Sequence, residues 1–181
     1  MRELSLNVLD IAQNSVSANA TLVEIEVVED TAKNELLIGI SDNGKGMTPE
    51  QLESVRDPFF TTRTTRKVGM GIPLFKFAAE MTGGSLEIES QVGVGTRVRA
   101  RFRTDHLDFT PIGDMASTFI TLVTMNLHMD FVYRRKRNSS EFTVDTRQLK
   151  EILGDVPLNE PSIASWITQY INENTKQLPE V

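Results

Sequence analysis

The chain has 181 residues, of which 39% are hydrophobic and 24% charged, as expected of a globular protein with one ordinary domain or a domain and a small appendage. Its 25 acidic and 19 basic residues give a net charge of -6, which disfavours nucleic acid as a partner because that binding depends on phosphate neutralisation. Cysteine is absent, which excludes disulfide and thiolate chemistry. Neither a signal peptide nor a membrane-spanning apolar run is visible, so we expect a cytoplasmic protein without a membrane partner.

Helices and strands alternate along the first half of the chain. Apolar residues recur at helical spacing from the first residues onward, and Asn19 tolerates the left-handed conformation that ends a helix. Thr48 is a typical cap for a short helix that runs to Val55. The predicted elements are helices over 3–18, 48–55 and 71–82 and strands over 21–29, 36–41, 85–92 and 96–103. We expect the third helix to direct Leu74, Phe77, Ala78 and Met81 toward the core.

The composition shifts after about residue 105. We therefore divide the chain into an N-terminal domain over residues 1–104 and a C-terminal α/β extension over residues 105–181. The extension is predicted to contain helices over 114–125, 145–153 and 162–173 and a hairpin over 131–135 and 142–144. The basic run from Arg134 to Arg137 lies in that hairpin and indicates a solvated surface. We expect the extension to pack on the first domain or to dock a partner.

Polar side chains repeat along the first helix. Asn7, Asp10, Asn14 and Ser17 follow one another every three or four residues and so form a stripe opposite the apolar one. An asparagine oxygen suits the preference of Mg²⁺ for hard oxygen ligands, and a carboxylate one turn away could serve as a general base. An ordinary solvated helix face is the alternative interpretation of the same stripe.

A glycine-containing loop, DNGKGM over residues 42–47, follows the second strand. Gly44 and Gly46 have no Cβ atom and permit positive φ, so a flat ligand can approach the backbone there. The Asp42 carboxylate can accept a hydrogen bond from an exocyclic amine, as in the selection of adenine. Because Asn-Gly also marks ordinary turns, a plain turn is the alternative.

Two further glycine motifs lie closer to the middle of the chain. Gly69, Met70 and Gly71 open the helix over 71–82, where free N–H groups and the helix dipole favour a phosphate group. A glycine hinge is the alternative there, since the residues match neither a dinucleotide fingerprint nor a phosphate loop. The segment GVGT, which ends at Thr96, indicates by itself only a hairpin turn.

Together and in this order, these motifs resemble the GHKL superfamily of Bergerat-fold ATPases, which includes gyrase B subunits, heat-shock chaperones, histidine kinases and mismatch-repair ATPases. LDIAQNSVSANAT is similar to the N box, DNGKGM to the G1 box, VGMGIPLF to the G2 box and GVGTRV to the G3 box. DPFFTTR resembles the paired-aromatic motif of histidine kinases. The resemblance covers about residues 4–103. It implies an α/β fold of the two-layer α+β sandwich type, a mixed sheet with helices on one face.

The resemblance also implies roles for single residues. Asn14 would coordinate Mg²⁺, Asp42 would bind the adenine amine, and Thr96 would support the adenine end. Arg63 or Lys67 would reach the γ-phosphate from a mobile lid over about residues 57–68. The implied ATP-binding residues are Asn14, Ser17, Asp42, Gly44, Gly46, Met47, Lys67, Gly69, Met70, Gly71 and Thr96.

The sequence departs from the family pattern in two places within the motifs. Asp10 stands where hydrolysing members usually carry glutamate, and its shorter side chain makes general-base catalysis on water doubtful. Pro73 replaces the usual leucine and should stiffen the start of its helix. No phosphoacceptor histidine precedes the N box, so we expect something other than a complete histidine kinase.

The sequence is compatible with three functions. The first is a stand-alone protein kinase that acts on a partner protein, similar to anti-sigma-factor serine kinases, and it is the one we favour. The second is an ATP-hydrolysing conformational switch, and the third is a nucleotide sensor without chemistry. All three use ATP or ADP with Mg²⁺ and a partner protein or substrate. The identity of that partner and the oligomeric state are not specified by the sequence.

Overall fold

The computed structural model describes residues 3–56 and 70–180. The described helices are α1 Leu4–Ser17, α2 Pro49–Arg56, α3 Gly71–Glu80, α4 Met115–Met125, α5 Thr146–Leu153 and α6 Pro161–Gln177. The described strands are β1 Leu22–Asp30, β2 Glu35–Asp42, β3 Ser85–Gln91, β4 Gly95–Arg103, β5 Asp130–Arg137 and β6 Ser140–Asp145. In these two stretches, no helix combines the length and the apolar composition that a membrane crossing requires.

The six described strands form one mixed sheet in the order β3-β4-β2-β1-β5-β6. The neighbours β1 and β5 run parallel, and the other neighbouring pairs run antiparallel. The parallel pairing aligns Leu22 with Asp130 and continues to Glu29 beside Arg137. The sheet therefore extends without a break from the N-terminal motif region into the strands that follow residue 105.

The alternation of side chains explains why the sheet has one covered and one open face. On β1, Val23, Ile25 and Val27 are buried against the helices, while Glu24 and Glu26 point the other way. The central strand β2 repeats this with buried Leu36, Ile38 and Ile40. The result is the expected two-layer α+β sandwich, with the helices on one face of the sheet.

Local sequence signals account for several element ends. Thr48 and Gln51 form a reciprocal cap, in which the Thr48 hydroxyl accepts from the Gln51 N–H at 3.2 Å and the Gln51 side chain accepts from the Thr48 N–H at 2.9 Å. Asn19 adopts the predicted positive φ, 59°. The Asp145 carboxylate accepts from the Arg147 N–H at 2.9 Å and caps α5, as expected.

Helix α3 turns a different face to the core from the one predicted. Leu74, Phe77 and Met81 are exposed, with Phe77 at 63%, so their assignment to the core was wrong. The buried residues are Ile72, Phe75 and Ala79. Both sets recur at helical spacing, and α3 is apolar on two sides, so periodicity alone could not choose between them.

Two polar segments are more buried than predicted. Arg135 is only 3% exposed and pairs with Glu29 at 3.0 Å, and Arg137 pairs with the same carboxylate at 2.6 Å, so this part of the basic run is structural rather than solvated. Asn7, predicted on the polar stripe of α1 opposite the apolar one, is 1% exposed, and neither of its amide atoms has a hydrogen-bond partner among the described residues. Helices α3 and α4 pack along α1.

Candidate functional site

A cavity of about 550 Å³ opens between α1, the end of β2 and the start of α3. Its apolar walls come from Ile11, Ile40, Val55, Ile72 and Val98. Its polar and backbone lining comes from Asn14, Ser15, Ser17, Ala18, Asp42, Lys45, Gly46, Met47 and Thr96. A mainly apolar hollow with a few polar groups at fixed positions suits a planar ligand with a polar edge.

Asp42 is held in place at the rim of β2 by two hydrogen bonds. Its Oδ2 accepts from the Ser15 hydroxyl at 2.7 Å, and its Oδ1 accepts from the Gly44 N–H at 2.8 Å. These bonds leave further lone pairs of the carboxylate free for a ligand. The carboxylate is therefore a preorganised acceptor at the mouth of an apolar cavity.

The loop after Asp42 lies too close to its neighbours for side chains at two positions. A Cβ atom at Gly44 would lie 2.8 Å from the Ala18 Cβ, and one at Gly46 would collide with the Gln91 carbonyl. Gly46 also has a φ of 72°, in the left-handed region. The glycines thus bring the loop backbone against α1 and against the hairpin that follows β3.

Thr96 lies beside Asp42 because β4 pairs with β2 in that register. Its hydroxyl is 2.8 Å from the Ser90 hydroxyl, which in turn accepts from the Met47 N–H at 2.8 Å. Ser90 therefore connects Thr96 to the glycine loop. This network fixes the polar wall opposite α1.

The other end of the cavity is formed by the polar side of α1 and the first residues of α3. Among the described residues, the buried Nδ2 atom of Asn14 has no hydrogen-bond partner. Asp10, one turn earlier, lies beside Gly71, where a Cβ atom would be 3.4 Å from the Asp10 Cβ. Partial burial raises the pKa of the Asp10 carboxyl above its ordinary value, although the residue retains solvent contact.

The structure brings most of the predicted site residues together. Asn14, Ser17, Asp42, Gly46, Met47 and Thr96 line the cavity. Gly44 bonds Asp42 from the loop, and Met70 and Gly71 lie at the start of α3. Arg63, Lys67 and Gly69 lie outside the described residues.

Two serines that support the site were missed from the sequence. Ser15 anchors Asp42, and Ser90 connects Met47 to Thr96. Ser15 did carry a signal, since it is a small polar residue one turn after Ile11 on the buried side of α1. Ser90 carried none, because its role depends on which strand lies beside β4.

Comparison with known proteins gives matches in sequence and in structure. Residues 1–106 match the family model described as Histidine kinase-, DNA gyrase B-, and HSP90-like ATPase. The sensor protein SrrB of Staphylococcus aureus is 38% identical over 78 residues, which are 40% of this chain and 13% of that protein. A sensor protein of Shewanella frigidimarina is 31% identical over 103 residues, 56% of this chain and 16% of its own length. The chain thus spans less than a fifth of these relatives.

Two solved structures resemble the fold at low sequence identity. The N-terminal domain of a DNA repair protein superposes with a TM-score of 0.50 at 15% identity, covering 80% of this chain and 52% of that one. The Aquifex aeolicus MutL ATPase domain, complexed with ADP, gives 0.49 at 14% identity over the full length of both chains. Since the family model covers more than half of the residues, the chain belongs to the family of histidine kinase-, DNA gyrase B- and HSP90-like ATPases.

Proposed function

We propose that the protein binds ATP with Mg²⁺ in this cavity and transfers the γ-phosphate to a partner protein. Family membership supports the nucleotide, and the cavity has a suitable size and polarity. The single observation that carries the protein-kinase proposal is an exposed apolar stripe that starts at the phosphate end of the cavity. This α3 stripe consists of Met70, Leu74, Phe77 and Met81.

The adenine end of the proposed site is built around Asp42. The carboxylate, held by Ser15 and Gly44, accepts a hydrogen bond from the exocyclic amine of adenine. Ile40 and Val98 lie on the cavity wall and contact the faces of the base. Guanine has a carbonyl oxygen at the matching position, so an ionised carboxylate there repels it and favours adenine.

The phosphate end lies between α1 and the start of α3. The first N–H groups of α3 and the positive end of its dipole attract the phosphates. Asn14 fits a role in holding Mg²⁺, because its amide has a free polar atom and can present its oxygen to a hard cation. No three His, Cys, Asp or Glu side chains come together as a metal site within the described residues. When bound, the cation neutralises charge on the phosphates.

Asp10 is the proton acceptor in this proposal. Its raised pKa makes the carboxylate a stronger base than an ordinary aspartate, which favours removal of a proton from an incoming hydroxyl or imidazole. The side chain is one methylene shorter than glutamate. Phosphoryl transfer depends mainly on positioning and charge neutralisation, so the short side chain is sufficient when a docked protein positions the nucleophile.

The α3 stripe gives the partner a place to dock. Its four residues follow a line of helical spacing, i, i+4, i+7 and i+11, and together they expose a narrow apolar strip on a helix whose other side is packed. Such strips on a soluble protein mark contact sites for other proteins. A partner bound there would lie within a few turns of the phosphates.

We also propose that residues 1–104 form the nucleotide-binding domain and that residues 105–181 form an extension of it. Residues 105–181 supply β5, β6 and the helices α4 to α6, which complete the sheet and cover α1. Their proposed role is to hold the nucleotide-binding half in shape and to border the docking surface.

The experiment supplies γ-labelled ATP and Mg²⁺ to the purified chain, alone and with protein fractions of the source cell. We expect a labelled protein that appears with the wild type and disappears with Asn14→Ala, which loses Mg²⁺-dependent nucleotide affinity. Phe77→Asp should keep full nucleotide affinity and still lose the label. The matched control is Ile152→Asp, the same kind of change at an exposed apolar residue on α5 outside the α3 stripe.

Each other result points to a different function. Steady release of free phosphate without labelled protein contradicts the kinase and supports a switch, which should then change its shape between ATP and ADP. ATP that stays bound and intact in every fraction supports a sensor. Unchanged nucleotide affinity in Asn14→Ala refutes the metal assignment.

A further inference from the structure

The face of the sheet that the helices leave open carries charges in a regular arrangement. Across the row through Gly39, the aligned residues are Glu87 on β3, Arg99 on β4, Gly39 on β2, Glu26 on β1 and Arg134 on β5. Along this row the side-chain charge is negative on β3, positive on β4, absent on β2, negative on β1 and positive on β5.

The next row repeats this order on the first four strands but ends in the uncharged Val132 on β5. Glu89, Arg97, Ser41 and Glu24 lie side by side on β3, β4, β2 and β1. The small residues on β2 leave a shallow depression of about 290 Å³ between the basic and the acidic strand. A Cβ atom at Gly39 would lie 3.1 Å from Cγ of Glu26, so the glycine makes room for that side chain beside the depression.

Two charges beside this depression have no ion pair within the described parts of the chain. Arg97 and Glu24 are exposed and face one another across Ser41, without a salt bridge or a side-chain hydrogen bond between them. Asp145, and to a lesser extent Glu24, raises the pKa of the Arg147 guanidinium. The salt bridge of Arg147 is with Asp145. In the row through Gly39, by contrast, Arg134 forms salt bridges with both Glu26, at 3.1 Å, and Glu141, at 2.7 Å. Arg97 and Glu24 are thus left without a salt bridge among the described residues, whereas Arg99 and Glu26 in the row through Gly39 are paired.

We propose that a second copy of this chain covers the open face, in a two-fold dimer whose axis runs along β2. Rotation by half a turn about that axis exchanges the two sides of β2. It places β4 of one copy over β1 of the other, and β3 over β5. In the row through Gly39, each overlap of charged strands then brings a basic residue against an acidic one. In the row through Ser41, Arg97 meets Glu24 while Glu89 meets the uncharged Val132, and β2 meets its own copy.

The rotation does not shift residues along the direction of its axis. Each residue therefore faces the residue of the second copy that lies in the same row. Arg97 comes to lie over Glu24 of the second copy, and Arg99 over Glu26. Glu87 comes to lie over Arg134. Leu37, half-buried in the next row of β2, meets its own equivalent on the axis and adds an apolar contact.

Sheet twist does not oppose this arrangement. A twisted sheet is saddle-shaped, and half a turn about an axis along one of its strands maps the saddle onto itself, so the two copies nest at the spacing of packed sheets. Five overlapping strands at about 4.8 Å spacing and three rows cover roughly 500 Å² per copy. The total of about 1,000 Å² is at the lower limit for a specific interface. We therefore expect a weak, salt-sensitive dimer that leaves the cavity on the helical side open.

The test is sedimentation velocity on the full chain from about 1 to 100 µM, in about 50 mM and about 500 mM NaCl. We expect a concentration-dependent dimer that weakens at high salt. Arg97→Glu and Glu24→Arg should each raise the dissociation constant of the dimer about tenfold or more, because each substitution brings like charges together at both symmetry-related contacts. Lys33→Glu, an equal change of charge in the exposed β1–β2 turn, should leave the dimer unchanged.

Mixing the two weakened variants distinguishes a dimer from a general effect of charge. Arg97→Glu carries two acidic residues beside the depression and Glu24→Arg carries two basic ones, so an equimolar mixture should form a heterodimer. The doubly exchanged variant should dimerise like the wild type. A chain that stays monomeric at every concentration in low salt overturns the proposal, as does a dimer that Arg97→Glu leaves intact or a mixture that stays monomeric.

Discussion

The Ser15 hydroxyl donates a 2.7 Å hydrogen bond to Oδ2 of Asp42, and this contact ties the middle of α1 to the end of β2. Ser15 is buried and directly follows Asn14, so the residue that orients the proposed adenine acceptor is the next residue along α1 after the proposed Mg²⁺ ligand. The two ends of the site are therefore positioned by a single turn of α1. A small rotation of that helix would disturb both.

Removal of either partner of this contact should weaken nucleotide binding to different degrees. Asp42→Asn replaces the charged acceptor, and we expect a loss of ATP affinity of about 10- to 100-fold, as for a hydrogen bond to a charged group. Ser15→Ala leaves the acceptor in place without its support and should cost about tenfold or less. Isothermal titration calorimetry with ATP and Mg²⁺ measures both. Equal affinity in Asp42→Asn and the wild type would contradict the adenine assignment.

Gly46 and Gly93 provide a matched comparison. Both have φ near 80°, at 72° and 79°, so alanine imposes a left-handed conformation at each, at a cost of about 1 kcal/mol. Only at Gly46 does the new Cβ collide with backbone, at the Gln91 carbonyl, while Gly93 has open space. We expect Gly46→Ala to lose stability and ATP affinity, and Gly93→Ala to lose only the smaller amount of stability. Urea unfolding and calorimetry measure the two effects, and equal losses at both sites would contradict the close approach.

The orientation of α3 can be tested with two phenylalanines on opposite sides of the helix. Phe75 is fully buried and packs on Phe102 with ring centroids 5.6 Å apart, so Phe75→Ala should lower the free energy of unfolding by about 3–5 kcal/mol. Phe77 is exposed, so Phe77→Ala should change it by less than about 0.5 kcal/mol. Chemical denaturation compares the two. A larger loss for Phe77→Ala would restore the face predicted from the sequence.

Asp10 should make stability depend on pH in a defined direction. Its pKa is raised in the folded state, so the ionised form is less favourable there than in the unfolded chain. At pH values above the raised pKa this lowers stability, and the loss disappears as the pH falls below the ordinary aspartate value. Asp10→Asn should therefore be slightly more stable than the wild type near pH 8, with the difference vanishing near pH 3. Asp155→Asn on an exposed turn is the control, and an advantage that grows toward low pH would contradict this sign.

Removal of the residues after Thr104 should prevent folding. The fragment would expose the backbone of β1 along its pairing with β5, and it would uncover the side of α1 on which α4 packs. We expect an aggregated product without nucleotide binding, whereas removal of residues 179–181 should change little. Expression, circular dichroism and ATP titration check this. A soluble, folded fragment that binds nucleotide would show that residues 105–181 are not needed to hold the first half in shape.

The sequence was a reliable guide where structure depends on neighbours along the chain. The helix caps at Thr48 and Asp145 and the positive φ of Asn19 follow from side chains that bond or tolerate their own backbone. The four motifs predicted a family that the family model confirms. Because each motif is a short continuous segment, its residue types and spacing carry the information.

Only the tertiary structure decided what depends on residues far apart in the chain. It selected the side of α3 that faces the core, buried Arg135 against Glu29, and placed Ser90 between Met47 and Thr96. It also joined β5 to β1, so that strands from the two halves share one sheet. In each case the sequence allowed more than one partner, and contacts between residues far apart in the chain made the choice.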